Sequence, residues 1–335
     1  MEQLYSQIIT KNHISGKRPI IILTGPTAVG KTEISIRLAK AVNGEIISAD
    51  SMQVYKFMDI GTAKISSKEM QGIEHYLIDV LNPTQDFNVV MFQRMAKHAM
   101  EQIYAKGKIP IIVGGTGFYI QALLYDTIFE ETQESPYRSE LTQYYEQYGA
   151  HMLHEKLKKI DPISYEQIHE NNIKRVIRAL EFYHDAGYPI SRHNIEQRHR
   201  ESPYNFVYFV LNDDRKLLYD RIEKRIDAMI KDGLVEEVAN LLSMGCTRDM
   251  VSMQGLGYKE IIPYLNGECT LEETVYILKR DTRHYAKRQL TWFRREKEIT
   301  WIDKPSFSSV EGMLQFMLLQ LIEKQIIIGD RNITE

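Results

Sequence analysis

Apolar positions along the chain keep two rhythms. Residues 19 to 24, Pro-Ile-Ile-Ile-Leu-Thr, form a short unbroken apolar run, followed at once by glycine and then by Lys31 to Ala41, where apolar residues recur at helical spacing. This predicts strand, loop and helix. Similar short β-rich runs at Glu45 to Ser48, His75 to Val80 and Ile109 to Val113, with a helical pattern over Asn88 to Lys106, predict more of the same alternation. Strands that alternate with helices and read as continuous apolar runs belong to a parallel sheet covered on both faces.

After Leu124 the pattern changes to charged, tyrosine-rich helical segments up to about His199, with no buried-strand run. Phe206 to Leu211 restores the strand signal, and helical patterns over Arg215 to Ser243 and Leu271 to Lys297 follow it. The expected architecture is α/β: a parallel sheet like that of the P-loop NTPases with helices on both faces, plus an inserted all-helical lobe. The boundaries are 1–124 for the first part of the core, 125–204 for the lobe, 205–310 for the return with its helices, and 311–335 for a C-terminal tail or helix; no motif is legible after about Lys304.

Composition adds mainly exclusions. At 335 residues with 43% hydrophobic and 26% charged residues, the chain has the makeup of a globular protein with room for two lobes. No continuous apolar stretch has the length of a signal peptide near the start or of a spanning helix elsewhere, so a cytoplasmic protein without membrane attachment is expected. Cys246 and Cys269 are too few for a disulfide framework or a structural zinc site. His151, His154, His184, His193 and His199 show no ligand spacing, and no zinc is assigned. The net charge of −3 hides two basic stretches: Lys174 to Arg200, with six Lys/Arg against three acids, and Lys279 to Lys297, with eight against two. In the second, Tyr285, Trp292 and Phe293 interleave with the cations. That pattern suits RNA, and equally a solvated helix with a core-facing aromatic stripe.

The chemistry begins at Gly25-Pro26-Thr27-Ala28-Val29-Gly30-Lys31-Thr32, which fits the G-x-x-x-x-G-K-[ST] phosphate loop between a predicted strand and helix. The glycines let backbone N–H groups turn in on phosphate oxygens, the helix N-terminus adds its positive end, Lys31 supplies a point charge, and Thr32 a hydroxyl for phosphate or Mg²⁺. Hydrolysis, phosphoryl transfer and diphosphate departure all use such a cradle. A kinase or ATPase would normally end an apolar strand in a magnesium-binding Asp. Here Ile109 to Val113 runs into Gly114-Gly115-Thr116 instead, although Asp79 could serve. After Glu45 to Ser48 comes Asp50, placed by the strand-end rule beside the loop. A carboxylate there can hold Mg²⁺ through water, act as a general base, or cap the next turn.

Taken in order, Gly25 to Thr32, Asp50-Ser51-Met52-Gln53-Val54-Tyr55, Gly61-Thr62-Ala63-Lys64, Gly114 to Tyr119, Asn172 to Leu180, Arg221-Ile-Glu-Lys-Arg225 and Gln254-Gly255-Leu256-Gly257-Tyr258-Lys259-Glu260 resemble the tRNA dimethylallyltransferase family, from about residue 18 to about 297. The zinc-finger extension of eukaryotic members is missing, which suggests a bacterial-type enzyme. The resemblance implies that residues 25 to 32 bind the diphosphate of dimethylallyl diphosphate, and that the acceptor is the exocyclic amine of the adenine immediately 3′ of the anticodon. It implies Asp50 as general base, Thr27 beside the bridging oxygen of the leaving group, Arg221 as a diphosphate clamp, and Mg²⁺ near Thr32. For tRNA it implies Asp50, Ser51, Met52 and Gln53 at the target base, Lys174, Arg175 and Arg178 at the anticodon stem-loop, and Thr116 and Arg138 at positions that touch substrate RNA in relatives. Gln254, Gly255, Gly257, Tyr258 and Lys259 would lie near the anticodon bases. A monomer is expected, since no coiled-coil pattern demands a partner. Two rival readings remain: a small-molecule or nucleotide kinase with the lobe as its lid, and a nucleotide-gated RNA-binding protein without transfer chemistry.

Overall fold

The computed structural model describes residues 16–129, 136–198 and 200–329, so His199 and the last six residues of the predicted tail lie outside the described residues. The chain divides into two compact units: the described residues up to Leu124 together with those from Pro203 onward, and Tyr125–Ser202.

The first unit is built on six parallel strands. In chain order they are β1 (Arg18–Thr24), β2 (Gly44–Ala49), β3 (His75–Tyr76), β4 (Ile109–Gly114), β5 (Tyr204–Asn212) and β6 (Ile299–Asp303), arranged β3-β2-β4-β1-β5-β6. Ile20, Ile21, Ile22 and Leu23 of β1 are wholly buried, which is why that strand carries no polar face: it sits between β4 and β5 with helices flanking the sheet. Helices α1 (Lys31–Ala41), α2 (Ser67–Met70), α3 (Val89–Ala105) and α4 (Gly117–Leu124) connect the early strands. Two expectations change here. The β3 pairing covers two residues rather than all of His75 to Val80, because Leu77 and Asp79 adopt left-handed backbone that breaks the ladder. And β6 was not anticipated, a five-residue edge strand directly behind a long basic helix.

The second unit is helical: α5 (Pro136–Ile160, broken at Gly149), α6 (Pro162–Gln167), α7 (Ile173–Ala186) and α8 (Ile190–Arg198). Leu141, Leu153 and Leu157 of α5 pack on Val176, Ile177, Ala179 and Leu180 of α7. Buried Asp161 joins the shorter helices, since its Oδ1 accepts from Ser164 N at 3.0 Å and its Oδ2 from Ser191 N at 3.0 Å.

Back in the first unit, α9 (Arg215–Lys231) and α10 (Leu234–Ser243) replace the single helical stretch read from Arg215 to Ser243, parted at Gly233 with φ 103°. Helices α11 (Ile261–Leu265), α12 (Leu271–Phe293) and α13 (Val310–Glu323) complete it. A Thr270 capping box with Glu273 starts α12. Among the described residues no helix is long and apolar enough to cross a membrane.

Candidate active site

Each chemical group of the site follows the last residue of a strand: Gly25 after β1, Asp50 after β2, Gly115 after β4, Asp213 after β5 and Lys304 after β6. Because all strands run parallel, these ends share one edge of the sheet, where open α/β sheets hold their ligands. Thr24, Ala49 and Gly114 lie level in the register, and the Thr24 hydroxyl donates to Gly114 O at 2.6 Å. Strand β5 runs on past that level, since Thr24 pairs with Val210 while β5 continues to Asn212. It therefore lies against the loop: a Cβ at Gly25 would meet Leu211 O at 2.6 Å, so glycine is obligatory there.

The loop opens into α1 with no side-chain cap on its first turn, which leaves the helix N–H groups to an anionic ligand. Lys31 Nζ donates to Gly25 O and Pro26 O, both at 2.9 Å. Burial, and after it the Arg225 guanidinium, push its pKa down to about 8, against the pull of Asp50. Thr27 N donates to Gln289 Oε1 at 2.9 Å, while Gln289 Nε2 donates to Gly115 O at 2.9 Å, so one buried amide ties the loop to the β4–α4 turn. Any side chain at Gly115 would collide with that amide, whose nitrogen lies 2.2 Å from the position of its Cβ. Nothing in the sequence singled out Gln289, a lone amide within a basic stretch.

Asp50 turns its Oδ1 toward the backbone, accepting from Met52 N at 2.8 Å and Gln53 N at 3.3 Å. The carboxylate borders a cavity of about 330 Å³ together with Thr27, Ser51, Met52, Arg225, Tyr285 and Arg288, with Ile222, Ile226, Met229 and Leu278 as its apolar wall. That volume is in the range of small-ligand sites. Burial and the nearby Asp50 raise Tyr119 to about 12 and raise Tyr285 further, so both phenols stay neutral. Arg225, from the same motif as Arg221, reaches the cavity: its Nη1 lies 3.5 Å from Thr27 Oγ1, and burial lowers its pKa while Asp50 raises it. The sequence reading named Arg221 alone, although a spacing of four places both arginines on one helix face. Arg221 is found beneath the loop, donating from Nε to Ala28 O at 3.0 Å and from Nη2 to Asp213 Oδ2 at 2.6 Å. Asp79, the other acid considered for a metal, is engaged by Lys64, which also holds Asp59 and Tyr55 O.

Several residues expected at the RNA have internal partners. Tyr258 is wholly buried, donates its hydroxyl to Glu237 Oε1 at 2.7 Å and lies against Gly61, so its side chain supports the site from the core. Glu237, unnoticed in the sequence, also accepts from the N–H groups of Asp59, Ile60 and Gly61 at 2.7–3.0 Å, fixing the loop that carries Thr62 and Ala63 to the cavity. Gln53 donates to Thr62 O at 3.2 Å. Gln254, Gly255, Gly257 and Lys259 border the cavity, and Met52 packs on Gly255. Thr116 opens α4 and hydrogen-bonds Tyr285. On α12, Phe293 is in the core, Lys279 pairs with Asp227 at 2.6 Å and Arg283 with Glu223 at 2.5 Å, while Lys287 and Arg288, and Arg294 and Arg295 just past its end, face solvent. The basic stretch is thus part clasp and part exposed surface.

Within the helical unit, Lys174 and Arg175 are exposed on the first turn of α7. Arg138 grips the buried Glu181 with two bonds, from Nε at 2.9 Å and Nη2 at 2.7 Å, and Arg178 approaches the same carboxylate at 3.5 Å. The unit's histidines have local partners: His151 bonds Glu170, His154 stacks on Tyr165 and His184 on Tyr137.

Comparison with known proteins points one way. The family model described as IPP transferase matches residues 53–296. The tRNA dimethylallyltransferase of Lachnoclostridium phytofermentans is 59% identical over 311 residues, 92% of this chain and 99% of that protein. The crystal structure of the full-length tRNA isopentenylpyrophosphate transferase from Bacillus halodurans is 43% identical with a TM-score of 0.68, over 92% of this chain and 98% of that one. A eukaryotic dimethylallyltransferase, described as acting on tRNA, superposes with a TM-score of 0.78 at 28% identity, over 94% of this chain and 82% of its own.

Proposed function

The chain belongs to the IPP transferase family and is a prenyltransferase acting on tRNA, and on that premise we propose that it moves a dimethylallyl group from dimethylallyl diphosphate to the exocyclic amine of the adenine immediately 3′ of the anticodon. The observation that carries this reading is the placing of Asp50, Thr27 and Arg225 around one partly aliphatic cavity beside an uncapped phosphate loop.

The diphosphate lies on the backbone amides of residues 28 to 32 and Lys31, and the five-carbon chain against Ile222, Ile226, Met229 and Leu278. The adenine amine is a weak nucleophile, because its lone pair is delocalised into the ring. As that lone pair forms the bond to the allylic carbon, the carbon–oxygen bond breaks, its electron pair goes to the bridging oxygen, and Asp50 takes the amine proton. The Met52 and Gln53 amides hold the carboxylate in place for this. Thr27 and Arg225 stand where charge grows on the leaving oxygen, and preorganised donors of this kind lower such barriers. Arg221 acts from below by holding Ala28 O.

For Mg²⁺, the exposed Thr32 hydroxyl at the start of α1 is the side chain that would bind it, and one hydroxyl completed by substrate oxygens and water is an ordinary Mg²⁺ shell. Bound there, the ion would neutralise part of the diphosphate charge. The target base must leave its stack to enter the cavity. Gln254 to Lys259 and the exposed cations of α12 are suited to the anticodon loop, and Lys174 and Arg175 to backbone phosphates. The enzyme would work as a cytoplasmic monomer.

The test is transfer of label from radiolabelled dimethylallyl diphosphate to unmodified tRNA with Mg²⁺ and no ATP. Label in the tRNA is the expected result. Turnover of ATP with no label transferred would replace this reading by the kinase one.

A further inference from the structure

Lys304 is the first residue after β6 and belongs to the stretch in which no motif was legible. Its Nζ donates to Val29 O at 3.1 Å, inside the phosphate loop, and lies 3.6 Å from Asp213 Oδ2. The same Oδ2 accepts from Arg221 at 2.6 Å, while Arg221 Nε holds the neighbouring carbonyl, Ala28 O. Two consecutive loop carbonyls are therefore each held by a cation, and both cations share one carboxylate that is itself buried. One negative charge against two positive ones leaves a surplus cation beside an anion-binding loop.

The peptide bond between Val29 and Gly30 is planar and trans, so its C=O and N–H point in opposite directions. A donor on Val29 O thus sets where Gly30 N–H points, and Gly30 is the residue from which α1 starts, at φ 94°. Lys304 is brought there by the fold. Asn212 and Asp303 pair at the end of the β5–β6 ladder, two residues beyond the level of Thr24, so the next residue overhangs the loop. The following turn is anchored by Pro305, by Phe307 against Phe316, and by α13 through Glu311 on Arg37 at 2.6 Å.

We propose that Lys304 is a positioning residue for the diphosphate: by holding Val29 O it aims Gly30 N–H at the ligand, and its charge supplements that of Arg221. The inference rests on the prenyl-transfer reading above, because it assigns a role at that same loop. It also gives the C-terminal segment a task, as the support that carries Lys304.

The experiment measures binding of inorganic diphosphate with Mg²⁺ by calorimetry, together with KM and kcat for dimethylallyl diphosphate at saturating tRNA, for the wild type, Lys304→Ala and Lys304→Arg. Lys304→Ala is expected to weaken diphosphate binding and raise that KM by about tenfold, the scale of one charge-assisted hydrogen bond. Its KM for tRNA stays at the wild-type value, and Lys304→Arg recovers most of the loss. If Lys304→Ala binds diphosphate like the wild type, or Lys304→Arg is as weak as Lys304→Ala, the inference is overturned. A fall in thermal stability with diphosphate affinity intact would likewise reduce Lys304 to a structural contact and overturn it. Failure of the wild type to bind diphosphate would sink the functional reading instead, a separate outcome.

Discussion

The strand-end edge of the first unit and the helical unit Tyr125–Ser202 both bury charged groups, but they use them in opposite ways. At the strand ends, Lys31 and Arg225 are kept in desolvated surroundings with Asp50 beside them, and burial lowers both pKa values. In the helical unit Asp161 and Glu181 are the buried carboxylates, and the pKa of Glu181 is held down, first of all by the hydrogen bonds from Arg138. The first arrangement keeps its charges poised for an incoming anion. The second satisfies its charge internally and leaves Lys174 and Arg175 to solvent. The pKa is perturbed in both units, and the identity of the partners tells the two arrangements apart.

The largest effect should come from Asp50→Asn. The amide oxygen can still accept from Met52 N and Gln53 N, so the turn is kept while the base is lost; transfer should slow by about 10²–10⁴ in kcat, the usual worth of a positioned base. Single-turnover transfer at saturating tRNA measures it, and near-wild-type chemistry would remove Asp50 from the base role.

Next comes pH. Folding lowers the Lys31 pKa from 10.5 to about 8. In that interval the unfolded chain binds more protons than the folded one, so this group's contribution to stability rises as pH goes from about 8 toward 10.5. An anion on the loop reverses the shift, so diphosphate binding near pH 8–10 should take up as much as about one proton through Lys31. Calorimetry in buffers of different ionisation enthalpy reads this, and Lys31→Met should abolish that share of the uptake.

The smallest effect tests the helical unit. Arg138→Ala leaves the Glu181 carboxylate short of its best partner and should cost about 1–3 kcal/mol of that unit's stability. Because the Glu181 pKa is lowered in the folded state, its stabilisation is present above the ordinary carboxylate value of 4.5 and fades as pH falls through the lower, folded one. Thermal unfolding alongside tRNA affinity decides the matter. Lost affinity with unchanged stability would make Arg138 an RNA contact rather than a clasp, and the contrast between the two units would blur.

Much of this was legible in the chain, and the gaps have a common cause. The phosphate loop is local: eight consecutive residues between an apolar run and a helix pattern carry their own geometry. Asp50 was legible because it follows a strand. Gln289 and Glu237 were not singled out, because each acts on a residue 176 to 262 positions away and nothing in its own neighbourhood records that, whereas Arg225, acting across 198 positions, had only its spacing from Arg221 to mark it. The burial of Tyr258 was illegible for the same reason: a motif gives the order of residues but does not say which of them faces inward.

Sequence by itself was enough for the alternation of strands and helices, the helical insertion after Leu124, the glycine-bounded loop between β1 and α1 and the family, since all of these rest on short-range periodicity and ordered motifs. Tertiary structure decided which cation stands at which loop atom. Parallel pairing aligns the strand ends, but the overhang of β5 and β6 past β1 is what puts Asp213 and Lys304 over residues 28 to 30. Register is a relation between segments far apart in the chain, set by packing of the whole sheet, and it has no signature in any one of them.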